Sequence, residues 1–381
     1  MPKVLILSAS TGGGHNSAAN AIKEELVALG CEVSVVDAIE SASPILNKIV
    51  SEGYEKSAKY VPVTYKAFYK ISSGKSRKED LDVLVRRIIG RKILHLVNDF
   101  KPDAIIGTHP FPMMALTRYK EQGTINVPVV SIITDYTAHT CYIQNSVDAY
   151  IVGDVDVSYI LKNSGIAPEK IHPFGIPINS SFLNTERVNT VKKNLDLDDK
   201  FTVLVMGGSF GAGSIKESLM ELLSSRYDFQ IIVVTGRDVK LKAKLDELVE
   251  IMRPKKTVRI LGFTKDVPEL MTISNVLITK PGGLTTTEAI IKGIPMVIPY
   301  YIPGQEAENV DFLLNNGLAL KTFKNYPLVT IIEILMDNPE RLNEIKERML
   351  KRSKADSSLK TAKLTLDLIE SFSNKGQVSD L

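Results

Sequence analysis

The chain of 381 residues is 44% hydrophobic and 24% charged, enough for two domains of about 150–200 residues, each with its own core. Its formal net charge of +3 is too small to indicate a nucleic-acid partner. The two cysteines, Cys31 and Cys141, stand far apart and outside any CxxC or Cys/His cluster. We therefore expect no disulfide framework and no structural zinc, and a reducing cytoplasm suits the chain.

The first elements predict a βαβ unit of a doubly wound α/β domain. A strand over Lys3–Ser8 leads into the glycine loop Ser10–His15, a helix follows over Asn16–Leu29, and a second strand covers Glu32–Asp37. The glycine loop lacks the GxGxxG spacing of dinucleotide sites.

A short apolar start followed by glycines indicates a buried strand rather than a signal peptide. No apolar run reaches the ~20 residues that cross a bilayer, so we expect any membrane contact to be peripheral.

Residues 48–92 carry 12 basic and 5 acidic side chains, interleaved with tyrosines and Phe68. Such a local excess favours a surface that touches anionic lipid. The alternative is a pair of surface helices whose lysines are only solvated.

Four titratable side chains follow predicted strands of the first domain, namely His15, His109, Asp135 and His139. The two later strands are expected over Ala104–Thr108 and Val127–Thr134. Ligands of open α/β sheets bind outside the carboxyl ends of the strands, so these side chains are candidates for one site. A histidine at such an edge titrates near neutral pH and can accept a proton. A purely structural hydrogen bond is the alternative for His15.

Asp154 and Asp156 follow a predicted strand over Asp148–Gly153 and have the spacing of a DxD metal motif. Because Asp just before a helix more often caps it, we expect Asp156 to cap a helix over Ser158–Asn163, and we expect no metal site. The run Pro173–Pro177 then indicates the passage into a second domain.

The second domain repeats the design, with a strand over Phe201–Met206 and a glycine loop over Gly207–Ser214. This loop lacks the lysine of a P-loop NTPase, but its backbone N–H groups can hold a diphosphate. Further strands are expected over Phe229–Thr235 and Thr257–Leu261, each followed by a polar loop.

A later stretch has the layout of an anion site. A strand over Asn275–Thr279 turns on two glycines into a helix over Thr285–Lys292, whose first N–H groups and dipole favour a negative group. Glu288 can accept two hydrogen bonds from a ribose diol, or it can form a capping box with Thr285 without any ligand. A further strand over Pro295–Pro299 leads to a predicted polar loop that carries Gln305, Glu306 and Asn309.

Five short motifs occur in a fixed order: Gly-Gly-Gly-His…Ser-Ala-Ala, Thr-Asp…His, Lys-Pro-Gly-Gly-Leu-Thr…Glu-Ala, Gly-Ile-Pro and Pro-Gly-Gln-Glu…Asn. This order resembles the branch of GT-B glycosyltransferases that contains the monogalactosyldiacylglycerol synthases and the processive diacylglycerol glucosyltransferases. The resemblance implies two Rossmann-like doubly wound α/β domains that face a cleft. An acceptor- and membrane-facing domain covers residues 1–178, and a nucleotide-sugar domain covers 179–356. A C-terminal helix in 357–381 packs back on the first domain and frays from about residue 374.

The resemblance also implies an inverting transfer of a hexose from UDP-glucose or UDP-galactose to diacylglycerol. It implies no metal or other cofactor, and a cytoplasmic protein that is peripheral on the inner face of the cell membrane. Among the proton acceptors we favour His15, with Asp135 and His139 as second candidates.

The resemblance assigns Glu288 to the uridine ribose, Gln305 and Glu306 to the donor sugar, and Phe263 and Val267 to the surroundings of the uracil. The complete set of expected donor-binding residues is Gly208, Ser209, Gly211, Gly213, Arg237, Phe263, Val267, Gly282, Gly283, Leu284, Thr285, Glu288, Gln305, Glu306 and Asn309. The expected residues on the acceptor side are Gly13, Gly14, His109 and Phe111.

Two other functions stay open. A peptidoglycan transferase that moves N-acetylglucosamine onto a lipid-linked muramoyl peptide shares the fold, although the Thr-Asp…His and Pro-Gly-Gln-Glu…Asn motifs fit it less well. A sensor that binds a UDP-sugar without transferring it is the non-enzymatic alternative, and the retained proton acceptors argue against it.

Overall fold

The computed structural model describes residues 1–10, 13–42, 89–207 and 215–379. The chain divides into two compact units, the first formed by Met1–Asn179 with Lys354–Leu381 and the second by Ser180–Ser353. Each unit contains a six-stranded sheet whose strand pairs are parallel, flanked by helices, which confirms the predicted α/β class with two Rossmann-like halves. The basic segment 48–92, apart from its last four residues, and the glycines of 208–214 lie outside the described residues.

The strands of the first unit are β1 (Lys3–Ser8), β2 (Glu32–Asp37), β3 (Ala104–Gly107), β4 (Val129–Ile132), β5 (Ala149–Ile151) and β6 (Ile171–His172). Those of the second are β7 (Thr202–Met206), β8 (Gln230–Val234), β9 (Val258–Leu261), β10 (Val276–Ile278), β11 (Met296–Ile298) and β12 (Ala319–Lys321). The strand orders are β2-β1-β3-β4-β5-β6 and β12-β11-β10-β7-β8-β9. In each sheet the later strands fall on both sides of the unit's first strand, which is β1 in the first unit and β7 in the second. Open α/β sheets form a ligand site at the point where the strand order reverses in this way.

The helices are α1 (Gly13–Ala28), α2 (Ala38–Ala42), α3 (Pro110–Glu121), α4 (Val155–Asn163), α5 (Val188–Asn194), α6 (Ile215–Leu223), α7 (Val239–Met252), α8 (Val267–Ile273), α9 (Gly283–Lys292), α10 (Gln305–Asn315), α11 (Leu328–Asp337), α12 (Pro339–Arg352) and α13 (Ser357–Ser379). Residues 89–100 are also helical. Among the described residues, none of these helices is both long and apolar enough to cross a membrane.

The C-terminal helix α13 belongs to the first unit and lies against α1. Its Ala362 joins the buried cluster that contains Ala19 and Ile22. At the start of α13, the Ser357 hydroxyl donates to the carbonyl of Gly175 at 2.5 Å. Gly175 has φ +96°, and a Cβ there would lie 2.5 Å from a Lys354 side-chain carbon, so glycine is required at this contact. The helix extends to Ser379, and fraying from about residue 374 stays a prediction.

Two expectations about the polar segments are wrong. Gln305, Glu306 and Asn309 lie on helix α10 rather than in a loop. Asp154, not Asp156, caps α4, because the Asp154 carboxylate accepts from the backbone N–H of Asp156 at 3.2 Å. The capping position therefore comes two residues earlier than the sequence suggested.

Candidate active site

His15 lies in the first turn of α1, because this helix begins at Gly13 and not at Asn16 as predicted. Its Nδ1 lies 2.7 Å from the backbone carbonyl oxygen of Thr108 and 3.0 Å from the hydroxyl of Thr134. A carbonyl oxygen can only accept, so Nδ1 carries the hydrogen and Nε2 keeps its lone pair. The first turn of α1 thus presents an imidazole in the neutral form that can accept a proton at Nε2.

The partners of His15 follow β3 and β4, which lie side by side in the sheet next to β1. A chain of hydrogen bonds fixes the first turn of α1 to these strand ends. The Thr108 hydroxyl donates to the Ser8 hydroxyl at 3.2 Å, Ser8 donates to the Asn16 side-chain oxygen at 2.5 Å, and the Asn16 amide donates to Ser10 at 2.9 Å. Sequence analysis missed these residues, although small polar side chains at strand ends are a usable signal.

Burial holds His15 in its neutral form. Desolvation lowers the pKa of His15 from its usual 6.5 to about 4, while the hydrogen bond to Thr108 and the charge of Asp37 act in the opposite direction. The imidazole is therefore unprotonated at neutral pH and ready to accept a proton.

His109 lies beside His15 at the same sheet edge. It caps α3, with Nδ1 accepting from the backbone N–H of Phe111 at 3.2 Å. The ring centres of the two histidines are 4.6 Å apart in an edge-to-face arrangement. Burial, together with the neighbouring His15, lowers the pKa of His109 well below its usual value. The structure therefore brings together two neutral histidines, both of which the sequence had placed at this edge of the sheet.

Asp135 and His139, the second candidates for proton acceptor, have other neighbours. Asp135 is buried just after β4. The burial of Tyr142 and the charge of the neighbouring Asp135 raise the pKa of the Tyr142 hydroxyl. His139 begins a short helical turn, and its Nδ1 accepts from the backbone N–H of Cys141 at 3.2 Å. Neither is among the hydrogen-bond partners of the His15 ring.

In the second unit, α9 begins at Gly283 with Gly282 as its N-cap, two residues before the predicted start. Gly282 has no side chain to cap the helix, so Thr285 is a first-turn residue and the capping box with Glu288 does not form. The first intrahelical bond runs from the N–H of Thr286 to the carbonyl of Gly282 at 2.8 Å. The N–H groups of Gly283, Leu284 and Thr285 precede it, which makes this turn suited to an anion.

Glu288 is a half-buried carboxyl one turn further along α9. No described residue donates a hydrogen bond to it, and burial alone raises its pKa to about 8. A partly buried acid without a partner near a helix start is a group that a ligand with two hydroxyls can satisfy.

Three side chains tie α10 to the turn before α9. Lys280 and Glu306 form a buried ion pair, and the second Glu306 oxygen accepts from the backbone N–H of Ile302 at 2.8 Å. The fully buried Asn309 amide donates to the carbonyl of Pro281 at 3.0 Å. Both Glu306 oxygens are thus engaged with the protein, so a contact with a sugar would require Glu306 to exchange one of these partners. Gln305 is the first residue of α10.

The loops after β8 and β9 bring Arg237 to Phe263. The Arg237 guanidinium lies 5.7 Å from the centre of the Phe263 ring, and this ring is 65% exposed. Asp238 caps α7 by accepting from the N–H of Leu241 at 2.9 Å, which gives this residue a structural role. Val267 is the first residue of α8. An exposed aromatic ring beside a cation offers a face on which a planar ligand can stack.

The described residues contain no cluster of three or more His, Cys, Asp or Glu side chains placed to hold a metal ion.

Two Rossmann-like units, each with a six-stranded sheet of parallel strands, are the fold of the GT-B glycosyltransferases. Solved structures share this fold. MurG of Acinetobacter baumannii is 15% identical with a TM-score of 0.65, covering 96% of this chain and 100% of its own. Anabaena HepE in complex with UDP-glucose is 12% identical with a TM-score of 0.53, and the alignment covers 100% of both chains.

Sequence comparison identifies the family. The model for monogalactosyldiacylglycerol (MGDG) synthase matches residues 15–178, and the model for the glycosyltransferase family 28 C-terminal domain matches residues 202–364. The processive diacylglycerol beta-glucosyltransferase of Bacillus licheniformis is 30% identical, over 93% of this chain and 92% of its own. The processive diacylglycerol beta-glucosyltransferase of Staphylococcus epidermidis is also 30% identical, over 99% of this chain and 95% of its own. The chain belongs to this family of glycosyltransferases, which confirms the resemblance found in the sequence.

Proposed function

We propose that this protein transfers a hexose from UDP-glucose or UDP-galactose to diacylglycerol, with inversion at the anomeric carbon. The observation that carries the proposal is the orientation of His15, whose Nδ1 is held by Thr108 so that Nε2 is left as a proton acceptor. The names of the relatives, which are glucosyltransferases acting on diacylglycerol, favour glucose.

In the proposed reaction the hydroxyl oxygen of diacylglycerol attacks the anomeric carbon as the bond from this carbon to the UDP oxygen breaks. The hydroxyl proton passes to Nε2 of His15, and the electron pair of the broken bond stays on the diphosphate. The N–H groups of Gly283–Thr285 favour this negative charge, because they are fixed before the reaction begins. The two ribose hydroxyls donate to the Glu288 carboxylate.

The test is to mix the protein with UDP-[14C]glucose or UDP-[14C]galactose and diacylglycerol vesicles, and to look for labelled lipid. Labelled glycolipid supports the proposal, and the better donor identifies the sugar. Transfer only from UDP-N-acetylglucosamine to a lipid-linked muramoyl peptide would identify the peptidoglycan reaction instead. Binding of UDP-sugar without any transfer would identify a sensor.

Activity in excess EDTA is expected to equal activity in added magnesium or manganese, because the anionic diphosphate is met by backbone N–H groups. The measurement is the initial rate of glycolipid formation after exhaustive chelation and dialysis. An absolute requirement for a divalent cation would contradict the expectation and direct attention to Asp154 and Asp156.

Docking on an anionic membrane is proposed for the segment Lys48–Lys92. Each Lys or Arg near such a surface contributes about 1 kcal/mol of attraction, which fades within a Debye length. A variant with five charge reversals to Glu is expected to stay in solution when the unchanged protein sediments with phosphatidylglycerol vesicles. The reversed residues are Lys66, Lys70, Lys75, Arg77 and Lys78.

A matched control reverses five exposed lysines of the second unit, namely Lys240, Lys244, Lys255, Lys265 and Lys324. This control has the same net charge as the docking variant but keeps the basic segment. It is expected to bind vesicles, and added salt should weaken its binding. Equal loss of vesicle binding in both variants would show that only total charge matters.

A further inference from the structure

Lys280 is a largely buried cation that the proposed reaction does not use. It follows β10 and forms an ion pair with Glu306, in which the Lys280 side chain is 16% exposed and the Glu306 side chain 7%. The second Glu306 oxygen accepts from the backbone N–H of Ile302 at 2.8 Å. A sugar hydroxyl can therefore reach a Glu306 oxygen only if one of these two partners leaves.

The Lys280 ammonium lies beside the glycine turn at the start of α9. The N–H of Gly282 donates to the carbonyl of Lys280 at 3.0 Å, which folds the chain back at Pro281. A Cβ added to Gly282 would lie 4.0 Å from Lys280 Nζ, so the ammonium is a close neighbour of the N-cap of the helix. This turn thus offers an anion both the N–H groups of Gly283–Thr285 and a mobile positive charge.

Of the two Glu306 partners, Lys280 is the one that can leave. An ammonium on a flexible four-carbon stem can change partners without any movement of the backbone. The turn itself is held, because the Asn309 amide donates to the carbonyl of Pro281 at 3.0 Å. A diphosphate carries more negative charge than a carboxylate, so at this turn it competes with Glu306 for the cation.

We propose that Lys280 binds the diphosphate of the donor, by leaving Glu306 when a UDP-sugar enters, and that the released Glu306 oxygen accepts from a hydroxyl of the sugar. This inference rests on the proposed function, because it takes the ligand to be a UDP-sugar. As the bond from the anomeric carbon to the diphosphate breaks, the ammonium stabilises the charge that develops there. The sugar hydroxyl replaces the donor that the buried Glu306 oxygen has lost.

The alternative is a permanent ion pair that only holds α10 to the turn before α9. Removal of Lys280 alone is a poor test, because it leaves the buried Glu306 charge unpaired, which is strongly destabilising. The double variant Lys280→Met/Glu306→Gln removes both charges and keeps an oxygen for the N–H of Ile302. The matched control, Lys346→Met/Glu347→Gln, makes the same change at two exposed positions of α12.

Calorimetric titration with UDP and with uridine, which has no diphosphate, separates the two roles. Diphosphate binding predicts that the double variant loses about 10- to 150-fold in affinity for UDP, the effect of one lost charge-assisted hydrogen bond, and keeps its affinity for uridine. The control should bind both ligands as the unchanged protein does. An unchanged affinity for UDP in the double variant, or equal losses for UDP and uridine, would overturn the inference.

Glu306→Gln tests the exchange itself. Without the carboxylate the ammonium has no anionic partner to leave, so the affinity for UDP should rise, whereas the extra affinity that the sugar gives UDP-glucose over UDP should fall. A lower affinity for UDP in this variant would mean that Glu306 holds Lys280 in place for the diphosphate, and the exchange would be wrong.

The inference and the proposed function fail in different ways. If the unchanged protein binds UDP but makes no labelled lipid, the proposed function fails, and the comparison of UDP with uridine still decides the role of Lys280. If the unchanged protein is active and the double variant binds UDP normally, only the role of Lys280 is wrong.

Discussion

Replacement of His15 by alanine is expected to lower turnover by about 10²–10⁴-fold, the usual contribution of a positioned general base. The affinity for UDP should stay unchanged, because the proposed nucleotide-binding residues lie in the second unit. His15→Asn is the matched variant, since its amide nitrogen can still donate to the Thr108 carbonyl while no atom takes the place of Nε2. An equal loss in both variants would assign the effect to Nε2 rather than to a disturbed first turn of α1.

The pH dependence gives an independent check on His15. Burial lowers its pKa to about 4, so the imidazole stays unprotonated from pH 7 down to about pH 5. With the UDP-sugar saturating, so that ionisation of the donor site has no effect, the kcat/KM profile for diacylglycerol should therefore show no acid limb near pH 6.5, and protonation of His15 should reduce it only near pH 4. An acid limb near pH 6.5 in the unchanged enzyme, absent from a variant with residual activity, would show that His15 titrates as an exposed histidine.

Protein stability follows the same shift with a defined sign. The unfolded chain protonates His15 near its usual pKa of 6.5, whereas the folded chain does so only near 4. Below pH 6.5 the unfolded state therefore binds more protons, and the free energy of unfolding decreases as the pH falls from 6.5 to about 4. Rates measured between pH 6.5 and about 4 therefore need a parallel measurement of the fraction of protein that is folded.

Small losses of activity in both His15 variants would move the role of proton acceptor to Asp135 or His139. Alanine substitutions at these two positions then become the deciding measurement. If all three alanine variants keep their turnover, no side chain in this set acts as the base.

The sheet architecture could be predicted because buried parallel strands have a simple signature. Each is a short run rich in Val, Ile and Leu that ends at glycine, proline or polar residues. For β1 and β2 the predicted and observed residues are identical. Other strands, such as β4, are shorter in the structure than the apolar run that predicted them.

The helix starts at the two glycine turns could not be predicted from local propensity. Glycine disfavours helix interiors, so α1 and α9 were expected to begin after Gly14 and Gly283. In the structure both glycines lie within the first turn. The first turn of α1 is fixed by Ser8 and Asn16, a contact between elements that a local rule does not include.

Helix α10 was missed for a related reason. Its first turn follows Pro-Gly and is polar, which is typical of a loop. The helix is held by the buried pair of Lys280 and Glu306 at one end and by Val310 and Leu313, both nearly inaccessible, on its inner face. Lys280 and Glu306 are 26 residues apart in the sequence, so a local sequence pattern treats both as ordinary surface residues.

The candidate site likewise contains one residue that the sequence could predict and partners that it could not. His15 could be found from its position after a strand and a glycine run. Its partners could not, because Thr108 and Thr134 lie 93 and 119 residues away. Their contact arises only when β3 pairs with β1 and β4 pairs with β3, and it is this contact that determines which ring nitrogen carries the hydrogen.

Glu288→Ala is expected to weaken binding of UDP-glucose by about 5- to 150-fold, corresponding to the roughly 1–3 kcal/mol cost of leaving the ribose hydroxyls without their acceptor. The measurement is calorimetric titration. Glu340→Gln, at an exposed position in the first turn of α12, is the control and should bind as the unchanged protein does. Unchanged affinity in Glu288→Ala would refute the assignment to the ribose.

Binding at Glu288 should also release a proton. Burial raises the pKa of this carboxyl to about 8, so it is mostly protonated at pH 7 in the free protein. Two hydroxyl donors stabilise the ionised form, so binding should lower the pKa and expel the proton. Affinity should therefore rise with pH up to about 8 and then level off. At pH 7, the observed enthalpy should depend on the ionisation enthalpy of the buffer for the unchanged protein but not for Glu288→Gln, which cannot titrate. The same buffer dependence in both proteins would mean that the released proton comes from another group.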